Sequence, residues 1–150
     1  MPFVPDGDAV PIVSLGAAMT PPASPVDVLA AVIERDGRFL LTRRPEGTHL
    51  AGRWEFPGGK CEPGESPAHC LRREISEELG VGADVGEEIM TTEHAYPDRT
   101  VRLQFRRCRI QGEPRPRLGQ ELRWITREEM GRLEFPEADR ALIEMLVDRP

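Results

Sequence analysis

The stretch GGKCEPGESPAHCLRREISEELGV, residues 58–81, decides how the chain is read. A glycine pair leads into a loop rich in proline, glycine and acid, and a short acidic segment follows. Ser66 suits an N-cap, Pro67 the first helical position and Gly80 the residue just past the end, so the spacing predicts a helix between them. Leu71, Ile75 and Leu79 recur at i, i+4, i+8, the spacing of a buried stripe. Glu74, Glu77 and Glu78 fall at i, i+3, i+4 and share a face that borders this stripe. Three carboxylates so close repel one another and raise one another's pKa unless cations sit among them. Carboxylate oxygen is what hard Mg²⁺ prefers, and that ion keeps open positions for substrate phosphates. Taken alone, the glutamates read more simply as a solvated acidic face; what surrounds them decides between the two readings.

With 150 residues the chain is expected to form one domain with a real core. No apolar run approaches the roughly 20 residues of a membrane span. The formal net charge of −6 argues against coating a nucleic-acid polymer, which calls for a basic face. It leaves room for a nucleotide ligand, since a bound cation reverses the local sign. Cys61, Cys70 and Cys108 are odd in number and lack C-x2-C spacing, so they are expected to be reduced thiols in a cytoplasmic protein. His49, His69 and His94 form no H-E-x-x-H pattern and read as surface or core-edge residues.

Residues 1–24, rich in Pro, Ala and Gly, read as a flexible leader with a short strand around Ile12–Leu15, and residues 25–150 as the domain. The nearly continuous apolar run from Val26 to Glu34 marks a strand covered on both faces. Asp36-Gly37 is a hairpin turn signal, with Phe39 to Thr42 as the returning strand and Arg43 and Arg44 at its end. Trp54-Glu55-Phe56 makes a short strand that delivers Pro57-Gly58-Gly59, where glycine permits close backbone approach. Beyond the acidic helix, a strand is expected over Ala83–Thr92 and a turn over Tyr96–Arg99. Val101, Leu103 and Phe105 alternate with polar residues as a half-buried strand, with a bulge or strand end at Arg107. A loop over Gly112–Gly119, a strand over Leu122–Ile125 and a helix opened by the Thr126-x-x-Glu129 capping box complete the middle region. A last helix is expected to start near Pro136, with Ala138, Ala141, Leu142, Met145 and Leu146 on one face. Strands flanked by two main helices imply layered α/β/α packing.

Gly59, Glu65, Arg73, Glu74, Ile75, Glu77, Glu78, Gly80 and Val81 occupy every fixed position of the pattern G-x5-E-x7-R-E-U-x-E-E-x-G-U, where U is a bulky aliphatic residue. The chain thereby resembles the Nudix hydrolases from about residue 26 to 148. The segments LLTRRP (40–45), WEFPGGK (54–60), YPDR (96–99) and FPEAD (135–139) make it most similar to the MutT branch. The resemblance implies an α/β fold, a Nudix-type α/β/α sandwich with a mixed, mostly antiparallel sheet between helices. It implies Mg²⁺-dependent hydrolysis of a nucleoside triphosphate to monophosphate and pyrophosphate, with Mn²⁺ as a substitute ion and oxidised 8-oxo-dGTP as the first substrate.

Carried over by position, Glu74, Glu77 and Glu78 with the carbonyl of Gly58 would be metal ligands, and Glu65 a supporting or secondary one. Glu74 or Glu78 would double as general base. Arg73, four residues before Glu77, would orient the acids. Arg44 and Lys60 would face the phosphates, while Arg99, Asp98, Asp139 and Phe56 would form the base pocket. CTP or 5-methyl-dCTP, another Nudix substrate such as ADP-ribose, and a non-catalytic module that binds nucleotides or DNA lesions remain alternatives. The resemblance implies no membrane, no stable nucleic-acid polymer, and a monomer or homodimer. One departure stands out: where MutT-like chains carry a further metal-binding glutamate, six residues before Trp124, this chain has Leu118, with Glu121 or Glu113 available from the same loop.

Overall fold

The strand β2 (Val26–Arg35) explains the layering, because its alternate side chains enter two separate cores. Val28, Ala30 and Val32 face one layer with Phe39, Leu41, Phe105 and Ile125, and with Leu142 and Leu146 of the last helix. Leu29, Ala31 and Ile33 face the other, against Leu71, Ile75 and Leu79 of the acidic helix. A strand buried on both sides must be apolar throughout, which is why this run shows no polar alternation. Each Val, Leu, Ile or Phe side chain among them contributes about 1.5–3 kcal/mol when fully buried.

The computed structural model describes residues 10–11, 25–47, 52–136 and 139–148. The order is β1 (Val10–Pro11), β2, β3 (Arg38–Arg43), β4 (Trp54–Glu55), β5 (Gly58–Lys60), α1 (Pro67–Leu79), β6 (Gly82–Tyr96), β7 (Arg99–Gln111), β8 (Glu121–Thr126), α2 (Arg127–Met130) and α3 (Arg140–Val147). The sheet is mixed: β2 runs parallel to β7, from Val26↔Val101 to Ile33↔Cys108, and the other pairings are antiparallel. β2 and β3 form a hairpin about Asp36 (φ 53°) and Gly37 (φ 75°), the two left-handed positions an Asp-Gly turn serves. The other edge partner of β2 is β5, with Leu29 opposite Gly59 and Ala30 opposite Gly58. This pairing brings the glycine pair beside α1. The result is the α/β sandwich expected, with α1 on one face and α2 and α3 on the other.

Several expectations need correction. The glycine pair is itself a strand, β5, because close backbone pairing with β2 stands in for side-chain packing. β6 extends to Tyr96, four residues past the expected end. The irregularity near Arg107 lies in the partner strand: Gly86 and Glu87 fall opposite Arg107, and a second shift follows before Met90. β7 runs on unbroken, and its buried apolar residues change face between Phe105 and Cys108. α3 begins at Arg140, after a turn closed by Asp139 N–H to Pro136 C=O at 3.0 Å, so Ala141 is exposed while Leu142 and Leu146 are buried. Ala138, His49, Ile12–Leu15 and most of the expected leader lie outside the described residues, although Val10–Pro11 pairs with Ala95 and His94 of β6.

The thiol expectation is corrected as well. Cys61 and Cys70 are joined in a disulfide, and only Cys108 is a free, buried thiol. The turn after β5 folds α1 back over the strand end and brings the two Cα atoms to 5.3 Å, a proximity their sequence spacing does not reveal.

Candidate functional site

α1 is bounded as its sequence implies. Ser66 Oγ accepts from His69 N–H (3.2 Å), Pro67 opens the helix, and Gly80 ends it at φ 68° with its N–H on Ser76 C=O. Measured from the centre of the Leu71–Ile75–Leu79 stripe at about 100° per residue, Glu78 lies about 60° away, Glu74 about 100° and Glu77 about 160°. Burial follows that order. Glu78 is 2% exposed and Glu74 6%, whereas 57% of the Glu77 side chain is open. The three acids therefore divide into a buried pair and an outward arm.

β5 lies against the buried pair. Gly58 N–H donates to Glu78 Oε1 at 3.1 Å. At Gly59 a Cβ would stand 2.5 Å from Glu74 Cδ, so the absence of a side chain makes room for that carboxylate. Arg73 binds both oxygens of Glu65, through Nε at 2.8 Å and Nη2 at 2.9 Å, and reaches Glu74 through Nη1 at 2.9 Å. Its contacts to Glu77 are longer, 3.5 Å, so Arg73 orients Glu65 and Glu74 more firmly than Glu77. Nη2 also donates to Lys60 C=O, which ties the loop, the helix and β5 together. This fork holds the Glu65 carboxyl down to about 2, with help from Glu62 N–H.

Burial pushes Glu78 well above the usual carboxylate range, with the charges of Glu55 and Glu74 adding to the rise and Gly58 N–H opposing it. Burial likewise raises Glu74, against the pull of Arg73. Among the described residues no guanidinium or ammonium pairs with Glu78. A hard divalent cation fits this donor set, which offers carboxylate oxygens in a place where ionisation is costly without added positive charge.

Glu55 is a site residue that the sequence reading passed over. It is 4% exposed, pairs with Arg44 Nε at 3.4 Å, and is pushed up to about 7 by burial. Its position between Trp54 and Phe56 was the available signal, since an acid in an apolar strand is seldom buried without a role. Asp139, at the start of α3, is 5% exposed and makes no side-chain bond to the helix N-terminus. Burial, with the charge of Glu55 added, raises it to about 8. Arg44, Glu55, Glu78 and Asp139 thus form one electrostatic neighbourhood.

The other expected residues are scattered more widely. Lys60 is exposed at the end of β5. Asp98 and Arg99 pair at 3.5 Å in the β6–β7 turn. Phe56 is 3% exposed, edge-on to Phe105 and stacked on Phe135, so it is packed into the core. Leu118 is exposed, in a loop that covers the C-terminal end of α1. Arg117 N–H and Gln120 Nε2 both donate to Glu78 C=O, at 3.1 Å each. Of the two acids expected in this loop, Glu121 is instead the first residue of β8 and stands beside Arg43 (3.6 Å) in the cleft that Arg44 also lines, while Glu113 is tied to Arg35 (3.3 Å). Cys61, Glu65 and Cys70 also bring ligand-type atoms within 4.8 Å of one another. The disulfide and the Arg73 fork occupy those atoms.

The NUDIX domain pattern matches residues 28–145. The chain is 39% identical over 120 residues to the CTP pyrophosphohydrolase of Escherichia coli, covering 79% of this chain and 89% of that protein. It is 35% identical over 125 residues to the 8-oxo-dGTP diphosphatase of Haemophilus influenzae, covering 82% and 92%. The crystal structure of the MutT protein from Methanosarcina mazei superposes with a TM-score of 0.70 at 26% identity, covering 83% of this chain and 94% of that one. No helix among the described residues is long and apolar enough to cross a membrane.

Proposed function

The chain belongs to the Nudix hydrolase family, and we propose that it hydrolyses a nucleoside triphosphate to monophosphate and pyrophosphate, with 8-oxo-dGTP as the preferred substrate. The observation that carries this reading is the buried pair Glu74 and Glu78 on α1, set over glycines, with no guanidinium or ammonium among the described residues paired to Glu78. Glu74, Glu77, Glu78 and the Gly58 carbonyl would hold the divalent ion, Glu65 would support them, and residues 25–150 would form the hydrolase domain. The family uses divalent metal ions, and Mg²⁺, with Mn²⁺ as substitute, would supply positive charge and Lewis acidity at this site.

The chain's own groups do the rest. Arg73 fixes Glu65 and Glu74 by three short bonds, so the carboxylate array keeps its aim. Water attacks a phosphorus of the triphosphate, one P–O–P bond breaks, and Glu74 or Glu78 takes the water proton. Burial raises both carboxyls in the metal-free protein, and a cation bound among them would hold them ionised. Arg44, held by Glu55, and Lys60 bind the phosphates. Asp98 and Arg99 approach from the β6–β7 turn, and Phe56 backs the base pocket from the core.

Asp139 reads the base. With its pKa raised to about 8, it is mostly protonated at pH 7 and both accepts and donates a hydrogen bond. The Hoogsteen edge of guanine offers two acceptors, N7 and O6. Oxidation at C8 turns N7 into a donor beside the O6 acceptor, which matches a neutral carboxyl. Cytosine also presents a donor beside an acceptor, which favours CTP as the second reading and agrees with the kinship to a CTP pyrophosphohydrolase.

A panel of 8-oxo-dGTP, dGTP, CTP and 5-methyl-dCTP with Mg²⁺, compared by kcat/KM, tests the assignment. We expect 8-oxo-dGTP to exceed dGTP by at least about 10²-fold, since a site built for a hydrogen bond rejects a substrate that cannot make it by up to about 10⁴–10⁵. Equal values for the two would overturn the substrate reading. Asp139→Ala should narrow the gap while leaving kcat for the better substrate within about tenfold, whereas Asp139→Asn, which keeps an acceptor beside a donor, should largely preserve it.

A further inference from the structure

The Cys61–Cys70 disulfide takes no part in the chemistry above, yet it lies inside the segment that carries it. Cys61 follows β5 directly, with its N–H on Asp27 C=O at 2.9 Å. Cys70 sits in the first turns of α1, with its N–H on Ser66 C=O at 2.9 Å. The bridge therefore ties the strand bearing Gly58 and Gly59 to the helix bearing Arg73, Glu74 and Glu78, and it closes the loop that presents Glu65.

The two sulfurs differ in access. Cys61 is half-buried and lines a cleft with Lys60, Glu62 and Glu65, whereas Cys70 is completely buried. Both redox states can be packed. A neutral thiol at Cys70 is a small apolar group among its neighbours. Its sulfur already lies 4.0 Å from the Gly59 carbonyl, which can accept the S–H. Opening the bridge thus leaves no buried group without a partner.

We propose that this bridge is a reversible modification site, opened by a dithiol reductant through the accessible Cys61 sulfur, and that its closure firms the metal-binding loop. The reductant's thiolate bonds to Cys61 sulfur, the S–S bond breaks, and the electron pair leaves on Cys70 sulfur, which takes a proton. The reductant's second thiolate then attacks the mixed disulfide and releases Cys61, which takes the second proton. Two electrons pass to the protein, and the reductant ends as its own disulfide. The consequence for metal binding rests on the site proposed above; the exchange chemistry does not.

The loop keeps the Arg73–Glu65 fork and the Ser66 cap after reduction, so the effect is graded. Mn²⁺ affinity should fall about three- to tenfold, less than the 10–100-fold typical when an outer group of a metal site is lost outright. Oxidising conditions, which generate damaged triphosphates, would therefore leave the enzyme in its better-ordered form.

The test uses the full chain. Dithiothreitol under native conditions followed by iodoacetamide should add one adduct, on Cys61, with the buried Cys70 and Cys108 unlabelled until denaturant is added, as read by intact and peptide mass. A Cys70→Ala variant given oxidised glutathione should gain one glutathione at Cys61, and a Cys61→Ser variant none. A Cys61 adduct that appears only in denaturant, or a chain that never forms the bridge with oxidised glutathione, would overturn the proposal. Calorimetry with Mn²⁺ on the oxidised and reduced wild-type protein reads the second half, and equal affinities would refute it. Bridge-dependent Mn²⁺ affinity in a protein with no turnover would support the bridge and count against the hydrolase reading.

Discussion

Glu78→Gln is expected to lower pyrophosphate release by about 10³-fold or more, while the metal-free fold becomes as stable as wild type at pH 5 and more stable at pH 8. Glutamine keeps the shape and can still accept the Gly58 N–H, but it removes the charge that would hold a cation. The stability sign follows from the raised pKa. A carboxyl whose folded value lies above its unfolded value binds its proton more tightly in the fold. Its contribution is complete below the unfolded value, near 4.3, and is lost as pH rises through the folded one. Glutamine does not titrate, so the variant's advantage grows with pH.

Glu55, near 7, and Asp139, near 8, add the same slope, so metal-free wild type should lose melting temperature steadily between pH 5 and 9. Glu77→Gln should also reduce turnover, with little change in metal-free stability, because Glu77 is exposed. Thermal melts at several pH values beside a pyrophosphate assay check all of this. Unchanged turnover in Glu78→Gln would remove the metal assignment.

Replacing the two adjacent glycines should separate fold from function. At Gly58, φ is 155° and a Cβ would lie 2.0 Å from Leu29 C=O and 2.9 Å from Ala30 Cα, all backbone of the paired strand. Gly58→Ala must push β5 off β2, which we expect to cost about 3 kcal/mol or more, a drop in Tm of roughly 6–12 °C. At Gly59 the obstacle is the carboxylate of Glu74, the free end of a flexible side chain. Gly59→Ala should therefore fold, lose less stability than Gly58→Ala, and lose about 10²-fold in kcat as Glu74 is displaced by an ångström or so. Thermal melts and steady-state kinetics on the two variants read the contrast. A stable, active Gly58→Ala protein would contradict the strand pairing assigned here.

What the sequence disclosed was what local chemistry enforces. Ser66, Pro67 and Gly80 bound α1 because caps act within a few residues, and Asp36-Gly37 sets its hairpin for the same reason. The apolar run of β2 announced a strand covered twice. What stayed hidden depends on distant partners. The pairing of Gly58–Lys60 with β2 is invisible to strand propensity, which disfavours glycine. The Cys61–Cys70 bridge needed the turn that brings α1 back over β5. The division of the three signature acids could be worked out from helix geometry, yet the isolation of Glu78 and the coupling of Glu55 to Asp139 arise from elements far apart in sequence. The packing of Phe56 against Phe105 and Phe135 joins residues far apart in sequence, which an aromatic beside a site motif does not announce.

The most direct measurement is diffraction at the manganese absorption edge from crystals grown with Mn²⁺ and a non-hydrolysable 8-oxo-dGTP analogue. An anomalous peak touching the Glu74 and Glu78 carboxylates and a phosphate oxygen of the analogue is the predicted result. A peak only at Cys61, Glu65 and Cys70, or no peak beside α1 with the analogue bound, would contradict the account.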